Sequence, residues 1–258
     1  MSVLAATILL AYGATRFIDL PARELSLQLP GLFLSYELDI YTLIAILVAG
    51  LTATGADLLL RDHPALGTKR TFEHWWLPAL TAWTLAVPLY QLPVGPQWLV
   101  SFVAGGALLM LVLIAEYISV DPQDLRFPVA RAGLTAVSFA LFLLLAIAMR
   151  SAGLRQFFIL PGLSFSFALV CLRTLHLRLR GKWQLMQTGA LVIIVAQIAA
   201  ALHYWPLPPI QFGLAILGPA YALTSLVGAL AEGEPVRTAL VEPLIVLFIV
   251  WGIALWTS

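Results

Sequence analysis

Charge is scarce in this chain. Of its 258 residues only 10% are charged and 61% are hydrophobic. A water-soluble domain carries about 25% charged residues, so this composition cannot cover a core with a solvated surface. The mean hydropathy of +0.96 places the chain in a bilayer. Fourteen basic and thirteen acidic residues leave a net charge of +1, which points to no nucleic acid or acidic partner. Cysteine is nearly absent. The single Cys171 excludes an intramolecular disulfide and reads as a small buried apolar residue. Four scattered histidines with one cysteine give no zinc spacing, and no two of them sit at the matching depth that a bis-histidine haem requires. Phosphate-loop and dinucleotide motifs are missing, as are paired Asp-rich motifs of the kind that hold magnesium. No cofactor and no metal are expected. The opening MSVLAATILLAYGATRF lacks the basic region and small-residue cleavage site of a signal peptide, and it reads as a retained first span.

Apolar runs of ~20 residues, enough to cross a bilayer, fill nearly the whole length. They predict an all-α membrane bundle of about nine helices: 3–20, 40–60, 75–90, 97–120, 128–150, 156–177, 185–204, 210–231 and 236–256. The count is eight if the first only half-inserts. Between the first two spans, residues 24–40 alternate apolar and polar around Pro30-Gly31. That period predicts a short amphipathic β-hairpin lying on the outer surface.

The stretch Leu89–Asp121, LYQLPVGPQWLVSFVAGGALLMLVLIAEYISVD, is echoed 113 residues on by LHYWPLPPIQFGLAILGPAYALTSLVGALAEGE. Leu89, Pro93, Pro96 and Gly105 fall on Leu202, Pro206, Pro209 and Gly218. The echo predicts one integral-membrane domain over 1–258 with a parallel internal repeat, 1–122 and 123–235, and a final helix 236–256. Paired repeats of one orientation are a known transporter plan. Loops after even spans hold ten basic residues (Arg61, Lys69, Arg70, Arg126, Arg131, Arg173, Arg178, Arg180, Lys182, Arg237), and loops after odd spans hold four (Arg16, Arg23, Arg150, Arg155). The positive-inside rule then puts the N-terminus in the cytoplasm and the C-terminus, hairpin and Pro-rich turns outside.

Ionisable residues within spans are functional candidates. Asp57, Glu116, Arg131, Arg173 and Glu242 all map about one turn inside the cytoplasmic ends and form a candidate inner charged layer, for a ligand or for mutual ion pairs. The midplane holds Thr84, Ser138, Gln197 and Ser225 but no carboxylate, lysine or histidine, which weighs against a proton-coupled carrier. Gln197 reads as an interhelical hydrogen bond. Gly218 and Pro219 mark a bend that, with Gln197, is a candidate cavity lining; the rival reading is a packing kink. Tyr90, Trp98, Tyr204, Trp205 and Phe212 form a candidate outer aromatic contact face. Gly162-x-Ser164 has the form used by intramembrane serine proteases, for which His203 is the one partner. The competing reading is helix packing by small residues. No catalytic residue is assigned.

The tail, from LHYWPLPPIQFG through GPAYALTSLVGALAEGE to ALVEPLIVL, together with IAEYISVDP, resembles an uncharacterised family of bacterial multi-span membrane proteins. The resemblance implies a bacterial cytoplasmic membrane protein and no activity. By exclusion the chain is expected to be a non-enzymatic accessory or scaffold subunit, binding lipid or another hydrophobic molecule, with membrane proteins or a second copy as partners. The alternatives are a small-solute transporter and an intramembrane enzyme acting on lipid or peptide.

Overall fold

A computed structural model of the chain describes residues 7, 10, 11, 13, 23–29, 32–38, 40–66, 71–179 and 181–256. Strands β1 (Arg23–Leu29) and β2 (Leu32–Leu38) pair antiparallel, with Leu25 opposite Tyr36 and Leu27 opposite Leu34. Helices joined by short turns make up the rest of the described chain. Eight long helices follow: α1 (Ile40–Arg61), α2 (Trp76–Gln91), α3 (Pro96–Ser119), α4 (Phe127–Ser151), α5 (Gln156–Arg178), α6 (Leu185–His203), α7 (Pro209–Ala231) and α8 (Val241–Trp256). A 3₁₀ turn, Phe72–His74, precedes α2, and a one-turn helix, Val236–Ala239, precedes α8.

Prolines set several of these boundaries. Pro96 and Pro209 open α3 and α7, where a missing N–H costs no hydrogen bond. Pro243 cannot donate to the Ala239 carbonyl, and the helical ladder is interrupted at Leu240, between the one-turn helix and α8.

Among the described residues seven segments are long and apolar enough to cross a membrane: Leu43–Arg61, Pro96–Ser119, Phe127–Ser151, Gln156–Arg178, Leu185–His203, Pro209–Ala231 and Val236–Trp256. Against the expected nine, the described residues hold these seven. The first expected span, 3–20, lies mostly outside the described residues, as do Lys69, Arg70 and Arg180. The expected third span is α2, whose 16 residues rise only ~24 Å at 1.5 Å each, short of the ~30 Å hydrocarbon thickness.

The chain divides into two compact units between Val120 and Asp121, where Pro122 prevents α3 from continuing. In the first unit α2 packs on both α1 and α3. Its core is Val48, Ala56, Ala82, Leu89, Leu109 and Leu113, with Leu85, Trp98 and Phe102 against it. In the second unit α7 is the hub and meets α4, α5, α6 and α8. Phe142, Phe167, Phe212, Leu134 and Ile216 are fully buried there, and the Phe142 and Phe167 rings lie 5.6 Å apart.

Candidate functional site

A buried polar cluster closes one end of the first unit, where α1 and α3 end and α2 begins. Asp57, near the end of α1, is buried. Its carboxylate accepts hydrogen bonds from the Thr71 hydroxyl and from Trp75 Nε1 at 3.3 Å, and pairs with Arg61 at 2.8 Å. Glu116 of α3 is only 1% exposed and lies 2.7 Å from His74 Nδ1. The Ser119 hydroxyl is 3.3 Å from the same carboxylate oxygen, and donates at 2.9 Å to the Glu116 carbonyl. His74 Nε2 faces the Glu73 carboxylate at 3.5 Å. The segment 71–75 thus supplies partners to two carboxylates that are costly to place in a membrane-edge helix alone.

Ser119 Oγ is also 3.4 Å from His74 Nδ1, so serine, histidine and glutamate meet. A nucleophilic triad needs the hydroxyl on one ring nitrogen and the acid on the other. Here Ser119 and Glu116 converge on Nδ1 while Glu73 faces Nε2 at 3.5 Å, and the Ser119 hydroxyl donates to the Glu116 carbonyl at 2.9 Å rather than to the ring. The chemistry of the cluster is that of a tie between α2 and α3.

In the second unit Arg178 ties α5 to α7. Its Nε donates to Glu232 at 2.8 Å, and its Nη1 lies 3.1 Å from the Ser225 carbonyl and 3.3 Å from the Ser225 hydroxyl. Gly228 makes room for it, since a Cβ there would stand 2.6 Å from Arg178 Cδ. Tyr221 of α7 donates to Glu242 of α8 at 2.7 Å. The five charges expected in one layer are therefore shared between the units. Asp57 and Glu116 are in the first, and Arg131, Arg173 and Glu242 are in the second. Each acid takes a different partner, Asp57 the Thr71–Trp75 segment, Glu116 His74 and Glu242 Tyr221. Arg173 is buried, Arg131 half-buried and Glu242 exposed.

Gly218 and Pro219 are both buried in α7. Pro219 has no amide hydrogen, so the carbonyl four residues earlier, on Ala215, loses its helical donor. Trp251 Nε1 of α8 donates to that oxygen at 3.2 Å. Gly218 permits the approach, because a Cβ there would lie 3.1 Å from the Trp251 ring and 3.0 Å from Leu247 Cδ1. This face of the bend, expected to line a cavity, is occupied by α8. Gln197 is on the exposed side of α6.

The same device appears at the first Pro-rich turn, and at the second a side chain again takes backbone carbonyls. Pro93 cannot donate to the Leu89 carbonyl, and Trp98 Nε1 does so at 3.1 Å. In the second unit Arg150, at the end of α4, reaches the carbonyls of His203 at 3.3 Å, Trp205 at 3.2 Å and Leu207 at 3.5 Å. Its guanidinium lies 5.0 Å from the centroid of the Phe212 ring. Phe212 is fully buried, so its place in an outer aromatic face is corrected: Arg150 covers it. Trp98 is half-buried and stacks on Phe102 at 5.0 Å. Tyr90, Tyr204 and Trp205 are exposed.

Ser164 and His203 are not joined. His203 Nδ1 lies 3.4 Å from Arg150 Nη1, and Ser166, one turn from Gly162, returns its hydroxyl to the Gly162 carbonyl at 2.8 Å. Cys171 is buried between the Thr188 and Thr224 hydroxyls, at 3.8 and 3.7 Å. His74, Thr71, Trp75, Ser119, Arg150 and Trp251 escaped the sequence reading as site residues. A usable signal existed only for Trp98 and Trp251: a proline inside or just after a helix leaves a carbonyl that some donor must fill.

No curated protein and no solved structure matches the chain. Residues 20–257 match the family described as "Protein of unknown function (DUF5656)", and the chain, with its apolar helices and proline-freed carbonyls held by neighbouring side chains, belongs to that family.

Proposed function

We propose that the protein is a non-enzymatic polytopic membrane protein, an accessory or scaffold subunit that docks a partner in the bilayer and holds lipid against its outer faces. The observation that carries this reading is the uneven use of the helices. Half of each span in α5 and α7 is buried within the chain, whereas only 17% of the Val236–Trp256 span is. That last span leaves Ile245, Phe248, Ile249 and Leu255 exposed, although α7 holds it firmly through Trp251 and Tyr221. A helix fixed on one side and apolar on the other suits a partner-docking surface. The polar groups described above are committed to tying helices together, which also supports a scaffold.

The proposed setting is a bacterial cytoplasmic membrane, with the N-terminus inside and the C-terminus, the β1–β2 ribbon and the Pro-rich turns outside; the asymmetry of the basic loops supports it. A photo-crosslinking residue at Phe248 or Leu255 in native membranes is expected to capture one and the same protein adduct from both positions. Adducts with lipid alone at both would sink the reading. One observation favours a small-solute transporter instead: the buried Glu116–His74–Ser119 tie. Solute uptake into proteoliposomes that is lost with Glu116→Gln would establish that alternative.

A further inference from the structure

Gln197 lies six residues before the end of α6, about 9 Å from it at 1.5 Å per residue. It is too short to reach the membrane interface as lysine or arginine does. Its side chain is exposed, and it makes no hydrogen bond to the described residues. Other mid-span polar groups behave differently: Thr52, Ser138 and Thr224 each return a hydroxyl to the carbonyl four residues back, at 2.7 Å. A carboxamide left in hydrocarbon keeps its donors and acceptor unmet, at a cost that favours association.

The surface around Gln197 suits one occupant. Gly189, Ile193, Gln197 and Ala201 are spaced by four, lie in one row of α6 and are all exposed. Open space surrounds the Cβ position of Gly189, so another backbone can come close. A carboxamide is both donor and acceptor and therefore complements itself. Two copies inserted in the same direction are related by a two-fold axis along the membrane normal, which sets identical residues opposite each other at identical depth. A different protein would need a polar group placed at that depth independently. We propose that the protein forms a two-fold dimer through this row of α6, the two Gln197 carboxamides bonding across the axis.

The test uses the purified full-length chain in liposomes and is independent of the docking role given to α8. Monomer and dimer fractions are followed by single-molecule photobleaching as the protein-to-lipid ratio is varied. The wild type is expected to show a reversible dimer. Gln197→Leu, an exposed change that leaves Tm in place, is expected to weaken it about three- to tenfold, and Gln197→Asn to weaken it less. In a Cys171→Ala background, Gln197→Cys is expected to form a disulfide-linked dimer, whereas Val195→Cys, on the buried side, is not. A monomer at every density, leaving the row to lipid or to another protein, overturns the proposal. So does a dimer indifferent to Gln197→Leu.

Discussion

Pro219 and Trp251 show how a single missing hydrogen organises a helix pair. The proline removes the donor that the Ala215 carbonyl would have had, and the indole replaces it from α8. Trp251→Phe keeps an aromatic ring and is expected to cost about 1–2 kcal/mol, read as a lower midpoint of unfolding in detergent. Pro219→Ala returns an amide to the ladder and makes the indole bond redundant. The double variant should therefore lose less than the two single losses together, with a coupling of about 0.5–1.5 kcal/mol; strict additivity would show that the indole bond does not depend on the proline. Glu116 is a second case. Glu116→Leu takes the carboxylate away from the buried His74 and is expected to cost ~3–5 kcal/mol, with Glu116→Gln milder because its amide oxygen still offers the ring an acceptor. Equal losses for the two would contradict the tie. Asp57 and Glu116 were legible as carboxylates inside apolar runs. Their partners were not: His74 is 42 residues from Glu116 in sequence, and no periodicity joins a loop residue to a helix it meets only after packing. Phe212 was misread for a related reason. Position beside a turn does not say which side of α7 faces α4, and Arg150 decides that.

Among the elements, the helix ends were the most legible part, because proline acts locally. Pro96, Pro122, Pro209 and Pro235 mark boundaries through sterics that need no tertiary information. The number of spans was less legible, because an apolar run was counted without its length: the expected 75–90 and the observed α2 are both 16 residues, short of the ~20 needed to cross. Trp75 reads as the start of a span, yet Phe72–His74 winds into a tight turn and α2 begins only at Trp76. The α6–α7 turn is held from outside by Arg150, whose guanidinium takes three carbonyls at the end of α6 and beyond. Arg150→Met keeps much of the length and loses the donors. It is expected to raise amide exchange at Trp205 and Leu207 at least tenfold, about 1.4 kcal/mol of local stability, with Leu109 and Leu113 in α3 unchanged. Uniform acceleration across the chain would show that Arg150 supports the whole unit rather than this turn.

At the scale of the whole molecule, two compact helical units follow each other along the chain. Both contain a helix pair closed by a Pro-rich turn: α2 with α3, and α6 with α7. We propose that the pairs descend from one parallel repeat. Their turns are secured by different side chains, Trp98 in one and Arg150 in the other, so the repeat is carried by prolines and small residues rather than by a shared polar site. The location was legible from composition alone, since 10% charge cannot cover a soluble core. The role was not, because it depends on which outer helical faces the chain leaves open; hydropathy marks α8 as more apolar than α5 but does not say which face of either is packed, and packing buries half of one span and 17% of the other. The most direct test of the scaffold reading is gentle extraction from the native membrane, followed by mass determination of the intact complex and identification of everything in it. The account predicts a second protein at fixed stoichiometry, lost when Phe248 and Ile249 on the open face of α8 are both changed to alanine. A chain that comes out without any other protein, and that carries solute or turns over substrate by itself, would contradict it.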